Sequence, residues 1–443
     1  MYAARFTPKR RRRTVTVELV GIGVGPSNLS LACLLHPRGI SNLFFDRRPN
    51  FTWHEGMQIP GVGLQVSFIK DLVTLAEPTN PFSFLSFLHE NRRLYHFLNA
   101  QFEAVSRREF SDYFTWAARK NPNIKFGEEV VRVRYDGDFV VETMHRSVRA
   151  ASIAIGVGKA PYVPEFARDQ LGSTQYHSAN YAEHRDTLGG RRVTVVGSGQ
   201  SGAEIVDDLL SRSRDTTPAH VTWVSRRTGF GPLDDAPFTN DLFMPDHQEY
   251  FVRLAENQRR QFLKQNVLAS DGISLKTLRN IYQKLYTQRF VDRQSGITAS
   301  LLPNRAVVMT ERDTADWLLV LQHGDSGETE TVRSDVIIWA TGYRNAPTSF
   351  MREITSRIDM EGEEFRVDDS FAAQWDGPSN RPIFILNASQ TQKGLADPNL
   401  SLLAWRSARI VERLSGEAFP YEPAPSLINW MTESIRHIQV EAG

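Results

Sequence analysis

The sequence predicts an α/β fold, and three observations carry this prediction. The residues TVTVELV (14–20) form a β-branched run that stops at a glycine-rich turn, and SNLSLACLL beyond the turn has helical spacing. The same order of strand, glycine turn and helix returns in residues 191–210. Residues 237–292 carry polar and aromatic stretches with helical spacing and no strand. We therefore expect two Rossmann-like dinucleotide-binding domains and a smaller helical segment.

The order of these elements predicts the domain boundaries. The first dinucleotide-binding domain is expected to span 1–185 and to be completed by 375–443, where a strand (IFILNAS) precedes a helix (NLSLLAWRSARIVERL). The second domain is expected to comprise 186–235 and 293–374, and its sheet would finish with SDVIIWATGY. Residues 236–292 would form the helical, substrate-binding segment.

Composition restricts the kind of partner. The 443 residues are 41% hydrophobic, enough for the cores of two or three domains. Lys and Arg number 52 against 51 Asp and Glu, so no global field draws the chain to nucleic acid or to a membrane, and small molecules are the expected partners. No apolar run reaches the roughly 18 residues of a membrane span. The single cysteine, Cys33, indicates a reducing cytoplasm and no thiolate metal site.

A basic run near the start, residues 9–13 (KRRRR), has two interpretations. Its composition matches a nuclear-localisation or nucleic-acid-binding patch, but short basic runs are usually solvated tails. A Rossmann strand follows it in place of the apolar region of a signal peptide. We favour the solvated tail.

The first glycine turn is a GxGxxG variant formed by Gly21, Gly23 and Gly25, with Pro26 in last place. Glycines there allow a tight turn and let a pyrophosphate approach the helix N-terminus. Proline is tolerated where a helix begins, because its missing N–H has no helical partner anyway. Asp46 ends the next strand, where an acidic residue binds ribose hydroxyls. These features predict a dinucleotide site.

The second turn carries the complete fingerprint, in the order Gly197, Ser198, Gly199, Gln200, Ser201 and Gly202. Its next strand, HVTWVSRR, ends without an acid and carries Arg226 and Arg227 instead. A 2′-phosphate is bound by guanidinium groups and a free ribose by a carboxylate, so this site is predicted to bind NADPH. The alternative is that both arginines are merely solvated.

A chain with one nicotinamide site and a second dinucleotide site is typical of a flavoenzyme in which NADPH reduces FAD. The first domain is then the FAD-binding domain and the second the NADPH-binding domain. Disulfide reductases share this layout but need a redox cysteine pair, and one cysteine excludes them.

Several stretches resemble the microbial N-hydroxylating flavin monooxygenases of siderophore biosynthesis, most closely the L-lysine N6-hydroxylases of the aerobactin type. They are NLFFDRRPNFTWHEGM (42–57), LQVSFIKDLVTLAEPTNPFSFLSFL (64–88), SRREFSDYFTWAA (106–118), VVGSGQSGAE (195–204), ATGY (340–343) and KGLADPNLSLLAWRSARI (393–410). The match runs from about residue 17 to 414. Residues 172–177 also resemble a loosened FxGxxxH signature of wider flavin monooxygenases.

The resemblance implies a mechanism and a set of cofactor contacts. NADPH would reduce FAD, O2 would form a C4a-hydroperoxyflavin, and the terminal amine of a small substrate would attack its distal oxygen. The attacking amine has to be neutral, although its free pKa is near 10. Residues that the resemblance places at the cofactors are Trp53, His54, Arg107, Gln200, Ser201, Arg226, Thr341, Gly342, Tyr343 and Leu400. Trp53 has ordinary core packing as its alternative, and Arg107 a structural salt bridge.

The resemblance also implies a substrate site. Gln65 would line the space near the reactive edge of the flavin, Lys70 would meet a substrate carboxylate, and Ser401 would lie beside flavin and substrate. Asn240 would stand between substrate and NADP. The alternatives are a surface cation for Lys70 and a turn or helix cap for Asn240.

The identity of the substrate stays open between three amines. The chain has Ser270, Asp271 and Gly272 where ornithine hydroxylases typically present an Asn-Tyr-Ser segment. Asp271 suits an ammonium, either the α-amine of lysine or the far amine of cadaverine or putrescine, whereas Lys70 suits a carboxylate. We rank L-lysine first, a diamine second and L-ornithine third.

Two other functions compete with amine hydroxylation. One is a carbon- or sulfur-oxidising flavin monooxygenase, and the other is an NADPH-binding redox sensor without flavin. The FIKDL and DDAPFTND segments argue against the carbon- or sulfur-oxidising monooxygenase. The absence of a flavin spectrum after reconstitution would favour the redox sensor. The family includes more than one oligomeric state, and a homo-oligomer, dimer or tetramer, is expected.

Overall fold

The structure is a computed structural model that describes residues 15–213, 215–291, 298–420 and 423–432. The basic run at 9–13 lies outside the described residues. Within them, no helix is both long enough and apolar enough to span a bilayer.

Strands and helices are numbered in chain order. The strands are β1 (Val15–Ile22), β2 (Asn42–Asp46), β3 (Ile124–Phe126), β4 (Val130–Asp136), β5 (Asp138–Thr143), β6 (Ser147–Ile155), β7 (Lys159–Pro161), β8 (Gln175–His177), β9 (Arg192–Val196), β10 (His220–Val224), β11 (Thr298–Leu302), β12 (Arg305–Asp313), β13 (Asp316–His323), β14 (Thr329–Ser334), β15 (Val336–Trp339), β16 (Tyr343–Asn345), β17 (Met360–Glu361), β18 (Glu364–Phe365) and β19 (Ile383–Ile385). The α-helices are α1 (Pro26–Leu35), α2 (Phe84–Glu90), α3 (Leu94–Ala100), α4 (Arg107–Lys120), α5 (Glu165–Arg168), α6 (Tyr181–His184), α7 (Gln200–Leu209), α8 (Pro237–Asn240), α9 (Pro245–Val252), α10 (Glu256–Gln265), α11 (Leu268–Asp271), α12 (Leu275–Tyr286), α13 (Arg352–Thr355), α14 (Gln390–Lys393) and α15 (Leu403–Ser415).

The first sheet has the order β3-β2-β1-β6-β5-β4, and β19 pairs with β6. Strand β1 runs parallel to both β2 and β6, as the strand-turn-helix pattern predicts. Helix α1 is buried along its length because it lies between the sheet, α4 and α15. Aromatic side chains of α2 and α4, among them Phe84, Phe110 and Phe114, fill this layer.

The second sheet is parallel and has the order β11-β10-β9-β15-β8. Helices α7 and α12 pack together, and their buried side chains Ile205, Val206 and Ile281 belong to one core cluster with Val193. An antiparallel meander, β12-β13-β14, contributes a second cluster that includes Trp317 and Trp339. The predicted α/β class with two Rossmann-like sheets is confirmed.

The segment between β10 and β11 is helical, as the sequence predicted, and comprises α8 to α12 and a π-helical turn at Thr287–Val291. Residue 292 lies outside the described residues. Leu242 and Phe243 of this segment pack against Leu395 and Leu402 near the C-terminus. This contact brings the helical segment over the first domain.

The chain passes between the two domains at positions that differ from the predicted domain boundaries at 185 and 374. Strand β8 pairs with β15, so the second sheet takes its edge strand from before residue 185. Strand β7 pairs with β16 across the two halves. Met351 and Val367, which the sequence assigned to the second domain, pack in the core of the first sheet. Short strands and isolated helical turns carry no signal of the sheet they join, so sequence alone could not place these segments.

Candidate cofactor and substrate site

The glycine turn after β1 has the backbone conformation and the open space that a phosphate-binding turn needs. Gly23 has a φ of +81°, and a Cβ there would lie 2.7 Å from the carbonyl oxygen of Gly156. Gly25 is the N-cap of α1 without a side-chain cap bond, and an added Cβ would find its nearest non-neighbouring atom at 4.0 Å. The first amides of α1 are therefore open to an anion. Gly21 also leaves space for the neighbouring strand, because a Cβ there would overlap the ring of Phe44.

The turn after β9 repeats this geometry. Gly197 has a φ of +130°, and a Cβ at this position would overlap the carbonyl oxygen of Ala340. A Cβ at Gly202 would overlap the carbonyl oxygen of Gly197. Gly199 is the N-cap of α7, again without a side-chain cap bond. A Cβ added there would lie 4.0 Å from its nearest non-neighbouring atom, the carbonyl oxygen of Asp271. A second helix N-terminus is thus open to a phosphate.

Both turns open into one cleft of about 1900 Å³. Pockets for a single small ligand are typically about 300–1,000 Å³, so this cleft has room for two dinucleotides. The sequence-predicted residues on its wall are Gly23, Gly25, Pro26, Asp46, Trp53, His54, Gly197, Ser198, Gly199, Gln200, Ser201, Arg226, Arg227, Asp271, Thr341, Gly342, Tyr343 and Leu400. The wall does not include Gly21, Gln65, Lys70, Arg107, Asn240 or Ser401.

Asp46 lies at the end of β2, beside the first turn. Its Oδ2 accepts a hydrogen bond from the amide of Val24 at 2.7 Å, and the Arg48 guanidinium binds both carboxylate oxygens at 2.8 and 3.0 Å. Burial alone would raise the pKa of Asp46, but the bonds and charge of Arg48 outweigh it and lower the pKa. The sequence reasoning missed Arg48, because spacing cannot separate its role from that of Arg47.

Two arginines follow β10 at the second turn, and they differ in their contacts. Arg227 donates a hydrogen bond to the carbonyl oxygen of Asp271 at 3.0 Å and lies 3.9 Å from the Asp271 carboxylate. Arg226 is exposed on the cleft wall and has no ion-pair partner within 4.0 Å in the described residues. Arg226 is therefore the guanidinium available to a 2′-phosphate.

Trp53 and His54 lie in a loop on the cleft wall near the first turn. The Trp53 ring packs edge-on against Phe114 with centroids 5.1 Å apart, and it also contacts His54 at 4.8 Å. The two sequence interpretations of Trp53, cofactor contact and core packing, are therefore compatible. Its ring packs against the core, and the residue also borders the cleft. His54 has a φ of +50°, an uncommon backbone conformation for a residue with a side chain.

Lys70 and Ser401, far apart in sequence, form a second polar group near the cleft. The Lys70 Nζ donates to the Ser401 Oγ at 2.8 Å, and the Ser401 Oγ in turn donates to Asn399 Oδ1 at 2.9 Å. The Phe243 ring centroid is 6.0 Å from the ammonium. Burial lowers the pKa of Lys70, and no carboxylate of the described residues lies within 4.0 Å of its ammonium. Leu400, next to Ser401, lines the cleft.

Gln65 and Arg107 contact the second domain. The Gln65 amide donates to Gln200 Oε1 at 3.3 Å. Arg107 makes a bidentate ion pair with Glu204 of α7, with distances of 2.7 and 2.9 Å. The ion pair corresponds to the structural alternative for Arg107. Glu204 was not singled out, although it ends the matching stretch VVGSGQSGAE.

Asn240 and Asp271 occupy exposed positions. Asn240 lies at the end of α8, and its amide donates to the carbonyl oxygen of Asp235 at 2.9 Å, as a residue of a turn would. The Asp271 side chain is 59% exposed and faces Arg227. Within the described part of the chain, neither side chain has a hydrogen bond or ion pair to Lys70 or Ser401.

A buried ion pair near the first glycine turn was missed by the sequence reasoning. Arg406 of α15 donates to the carbonyl oxygen of Asp397 at 2.7 Å and to its carboxylate at 3.0 Å, and Arg406 lines the cleft. Its Nη2 lies 3.4 Å from Ser27 Oγ in the first turn of α1. Both charges belong to the stretch KGLADPNLSLLAWRSARI, so the signal was available.

Two open helix N-termini share one cleft, with an acid beside one and, beside the other, an arginine that has no ion-pair partner among the described residues. This arrangement defines a flavoprotein oxidoreductase with two dinucleotide sites. Comparison with known proteins gives the family. The family model for L-lysine 6-monooxygenase/L-ornithine 5-monooxygenase matches residues 15–345, and the chain belongs to this family. It is an NADPH-dependent flavin N-monooxygenase.

Individual relatives agree with this membership. The L-lysine N6-monooxygenase of Escherichia coli is 39% identical over 421 residues, which cover 94% of this chain and 98% of that protein. The FAD-bound cadaverine monooxygenase of desferrioxamine biosynthesis from Erwinia amylovora superposes with a TM-score of 0.89 at 27% identity, covering 95% and 99% of the two chains. An ornithine N-hydroxylase from Kutzneria, solved with reduced FAD, NADP+ and L-ornithine, has a TM-score of 0.83 at 30% identity, covering 90% and 99%.

Proposed function

We propose that the chain N-hydroxylates the terminal amine of L-lysine and so supplies a hydroxylamine for hydroxamate siderophore biosynthesis. One observation carries the choice of lysine. The Lys70 ammonium is partly buried, and its pKa is lowered by burial, yet no carboxylate of the described residues lies within 4.0 Å. A buried charge is stable only when it is paired, so this ammonium favours a ligand that brings an anion. An amino acid has the required carboxylate, whereas a diamine would be repelled.

The residues around both turns fit FAD and NADPH. We propose that FAD lies at the Gly23 and Gly25 turn and NADPH at the Gly197 and Gly199 turn, where space for a phosphate is left at the N-caps of α1 and α7. When bound and reduced by NADPH, FAD would supply the two electrons that activate O2, so that one oxygen atom is transferred to the amine and the other leaves as water. The proposed cofactor contacts are Asp46, Trp53 and His54 for FAD, and Ser198, Gln200, Ser201 and Arg226 for NADPH, with residues 341–343 and Leu400 bordering both.

The surroundings of Lys70 and Ser401 suit the aliphatic part of the substrate. Leu242, Phe243, Leu395 and Leu402 form one buried apolar cluster there. A free alkylamine has a pKa near 10, and an apolar environment lowers the pKa of an amine because it disfavours the charged form. We propose that this cluster holds the methylene chain and favours the neutral, attacking amine. Ser401 would hold the Lys70 ammonium in place for the carboxylate.

A substrate panel tests the proposal. L-lysine, L-ornithine, cadaverine and putrescine are compared in a coupled assay of NADPH oxidation and hydroxylamine formation, and lysine is expected to give the highest kcat/KM. In Lys70→Ala the KM for lysine should rise about tenfold to a hundredfold, because a charge-assisted hydrogen bond contributes about 1.5–3 kcal/mol. Lys264→Ala, which removes an exposed lysine of α10, is the matched control. Lysine turnover that survives in Lys70→Ala, or peroxide as the sole product with every amine, would contradict the proposal.

A diamine is the second candidate. The likeness to a cadaverine monooxygenase at a TM-score of 0.89 favours it, and the exposed Asp271 carboxylate is the group that could meet a second ammonium. If cadaverine is the better substrate and Lys70→Ala leaves its turnover unchanged, the diamine replaces lysine. L-ornithine is third.

We further propose that the chain works in the cytoplasm as a homo-oligomer, either a dimer or a tetramer. The single cysteine fits a reducing compartment. Light scattering coupled to size-exclusion chromatography of the FAD-loaded protein would give the mass, and a monomer of 50.3 kDa would contradict this proposal.

A further inference from the structure

The Arg107 and Glu204 ion pair joins the two halves of the molecule. Arg107 is the first residue of α4, which packs against α1 in the first domain, and Glu204 lies in α7, which packs against the second sheet. The side chains are 14% and 2% exposed. One guanidinium nitrogen of Arg107 also donates to the carbonyl oxygen of Met57 at 2.8 Å. The pair therefore ties α7 to the loop that carries Trp53 and His54.

Hydrogen bonds extend this ion pair into the cleft. The Gln200 amide nitrogen donates to Glu204 Oε1 at 3.0 Å, and its oxygen accepts from the backbone amide of Ser274 at 2.8 Å. The same oxygen accepts from Gln65 at 3.3 Å. One chain of contacts thus runs from α4 of the first domain through α7 to the helical segment and to Gln65.

The network lies between the two proposed cofactor sites. Glu204 lies one helical turn beyond Gln200 in α7. Gly199, the N-cap of the same helix, belongs to the second glycine turn, where a phosphate is proposed to bind. A shift of α7 would therefore move the NADPH site relative to the FAD site and release Gln65 together with it. Hydride transfer depends steeply on the distance and angle between donor and acceptor.

We infer that Arg107 and Glu204 are positioning residues, an interdomain latch that sets the NADPH-binding turn against the flavin-binding domain. The inference rests on the flavin N-monooxygenase class and is independent of the proposed lysine substrate. The ion pair acts through Gln200 and touches no reacting atom.

Anaerobic reduction of bound FAD by NADPH tests the latch without any amine substrate. In Glu204→Gln and in Arg107→Met the limiting rate of flavin reduction should fall on the order of tenfold to a hundredfold. The NADPH concentration that gives half the limiting rate should stay within about twofold, because Arg226 and the glycine turn are untouched. The double variant should be no slower than the slower single variant, since both changes remove one contact.

Asp208→Asn is the matched control. Asp208 lies one turn further along α7, and its buried carboxylate forms ion pairs with Arg185 and Arg212 and none with Arg107 among the described residues. This variant tests whether loss of any buried charge on α7 slows reduction, and its rate should remain near that of the wild type. Arg107→Lys should restore part of the rate in comparison with Arg107→Met.

Hydrogen exchange on the protein without cofactors gives a second readout. Glu204→Gln should speed exchange in peptides that cover 57–65 and 199–204 together, whereas Asp208→Asn should not. The latch is overturned if the single variants reduce flavin at the wild-type rate, if their losses add in the double variant, or if Asp208→Asn is equally slow. Failure of the lysine panel would leave these outcomes unchanged, so the two proposals can fail separately.

Discussion

The two glycine turns have nearly the same backbone and different surroundings. Gly25 and Gly199 are both N-caps with φ near −90° and extended ψ, and both leave space at the start of a ten-residue helix. The difference lies at the end of the following strand. Asp46 is held by Arg48 beside the first turn, whereas Arg226 beside the second turn has no ion-pair partner in the part of the chain that the structure describes. We therefore propose that a common phosphate site is adapted to different cofactors by the residues at or just after the end of the second strand of each unit.

Substitution at the two N-cap glycines should separate the cofactors most strongly. Gly199→Ala should weaken NADPH about a hundredfold or more while FAD retention stays unchanged, and Gly25→Ala should do the reverse. A methyl group there fills the space of a phosphate oxygen and prevents charge-assisted bonds that contribute about 1.5–3 kcal/mol each. Flavin absorbance after gel filtration and NADPH titration measure the two effects.

The fold should survive both changes, which makes them matched controls for each other. The backbone at either glycine is extended, and an added Cβ meets no non-neighbouring atom closer than 4.0 Å. Gly197→Ala, by contrast, should unfold the turn, because its Cβ would overlap Ala340. Loss of both cofactors in either N-cap variant would contradict the assignment of one cofactor to each turn.

Arg226 should decide between NADPH and NADH at the second turn. In Arg226→Ala the kcat/KM for NADPH should fall about tenfold to a hundredfold, with little change for NADH, because the guanidinium meets only the 2′-phosphate. Arg227→Ala should have a smaller effect, since Arg227 already bonds to Asp271. Equal losses for both coenzymes in Arg226→Ala would place its contact elsewhere.

The sequence predicted the two Rossmann-like units because their signals are local. Strand, turn and helix follow one another within about twenty residues, and the glycines report backbone constraints that the structure confirms at Gly23 and Gly197. The boundaries at 185 and 374 were less accurate. Strand β8 has three residues, and its pairing with β15 depends on a chain segment some 160 residues away.

Contacts between side chains were harder to predict than the elements. Lys70 and Ser401 were each singled out by resemblance, but their hydrogen bond joins residues 331 positions apart. Gly21 was predicted to serve the cofactor turn, and its additional role of leaving space for the Phe44 ring of the neighbouring strand could not be predicted from the motif. Glu204 and Arg48 were overlooked because a charged residue in a motif does not reveal its partner.

The Asp46 carboxylate should make the first site sensitive to acid. Burial tends to raise the pKa of Asp46, and Arg48 lowers it below its ordinary value near 4. The stabilisation is complete above that ordinary value and is lost as the pH falls through the lower pKa of the folded protein. In Arg48→Met, FAD release should begin at a higher pH than in the wild type, as followed by flavin fluorescence. An unchanged midpoint would show that Arg48 does not hold Asp46 in its charged form.

Asp271→Asn should have the smallest effect at the second site. The Asp271 carboxylate is 59% exposed and lies 3.9 Å from Arg227, and exposed ion pairs contribute about 0–1 kcal/mol. Arg227 keeps its hydrogen bond to the backbone carbonyl of Asp271 in this variant, so it should stay in place and the KM for NADPH should change less than about twofold. The same variant tests the substrate, because an Asp271 that bound an ammonium would raise the KM for a diamine or for lysine well beyond that range. Steady-state kinetics with NADPH and with each amine therefore distinguishes an aspartate that only neighbours Arg227 from one that selects the substrate.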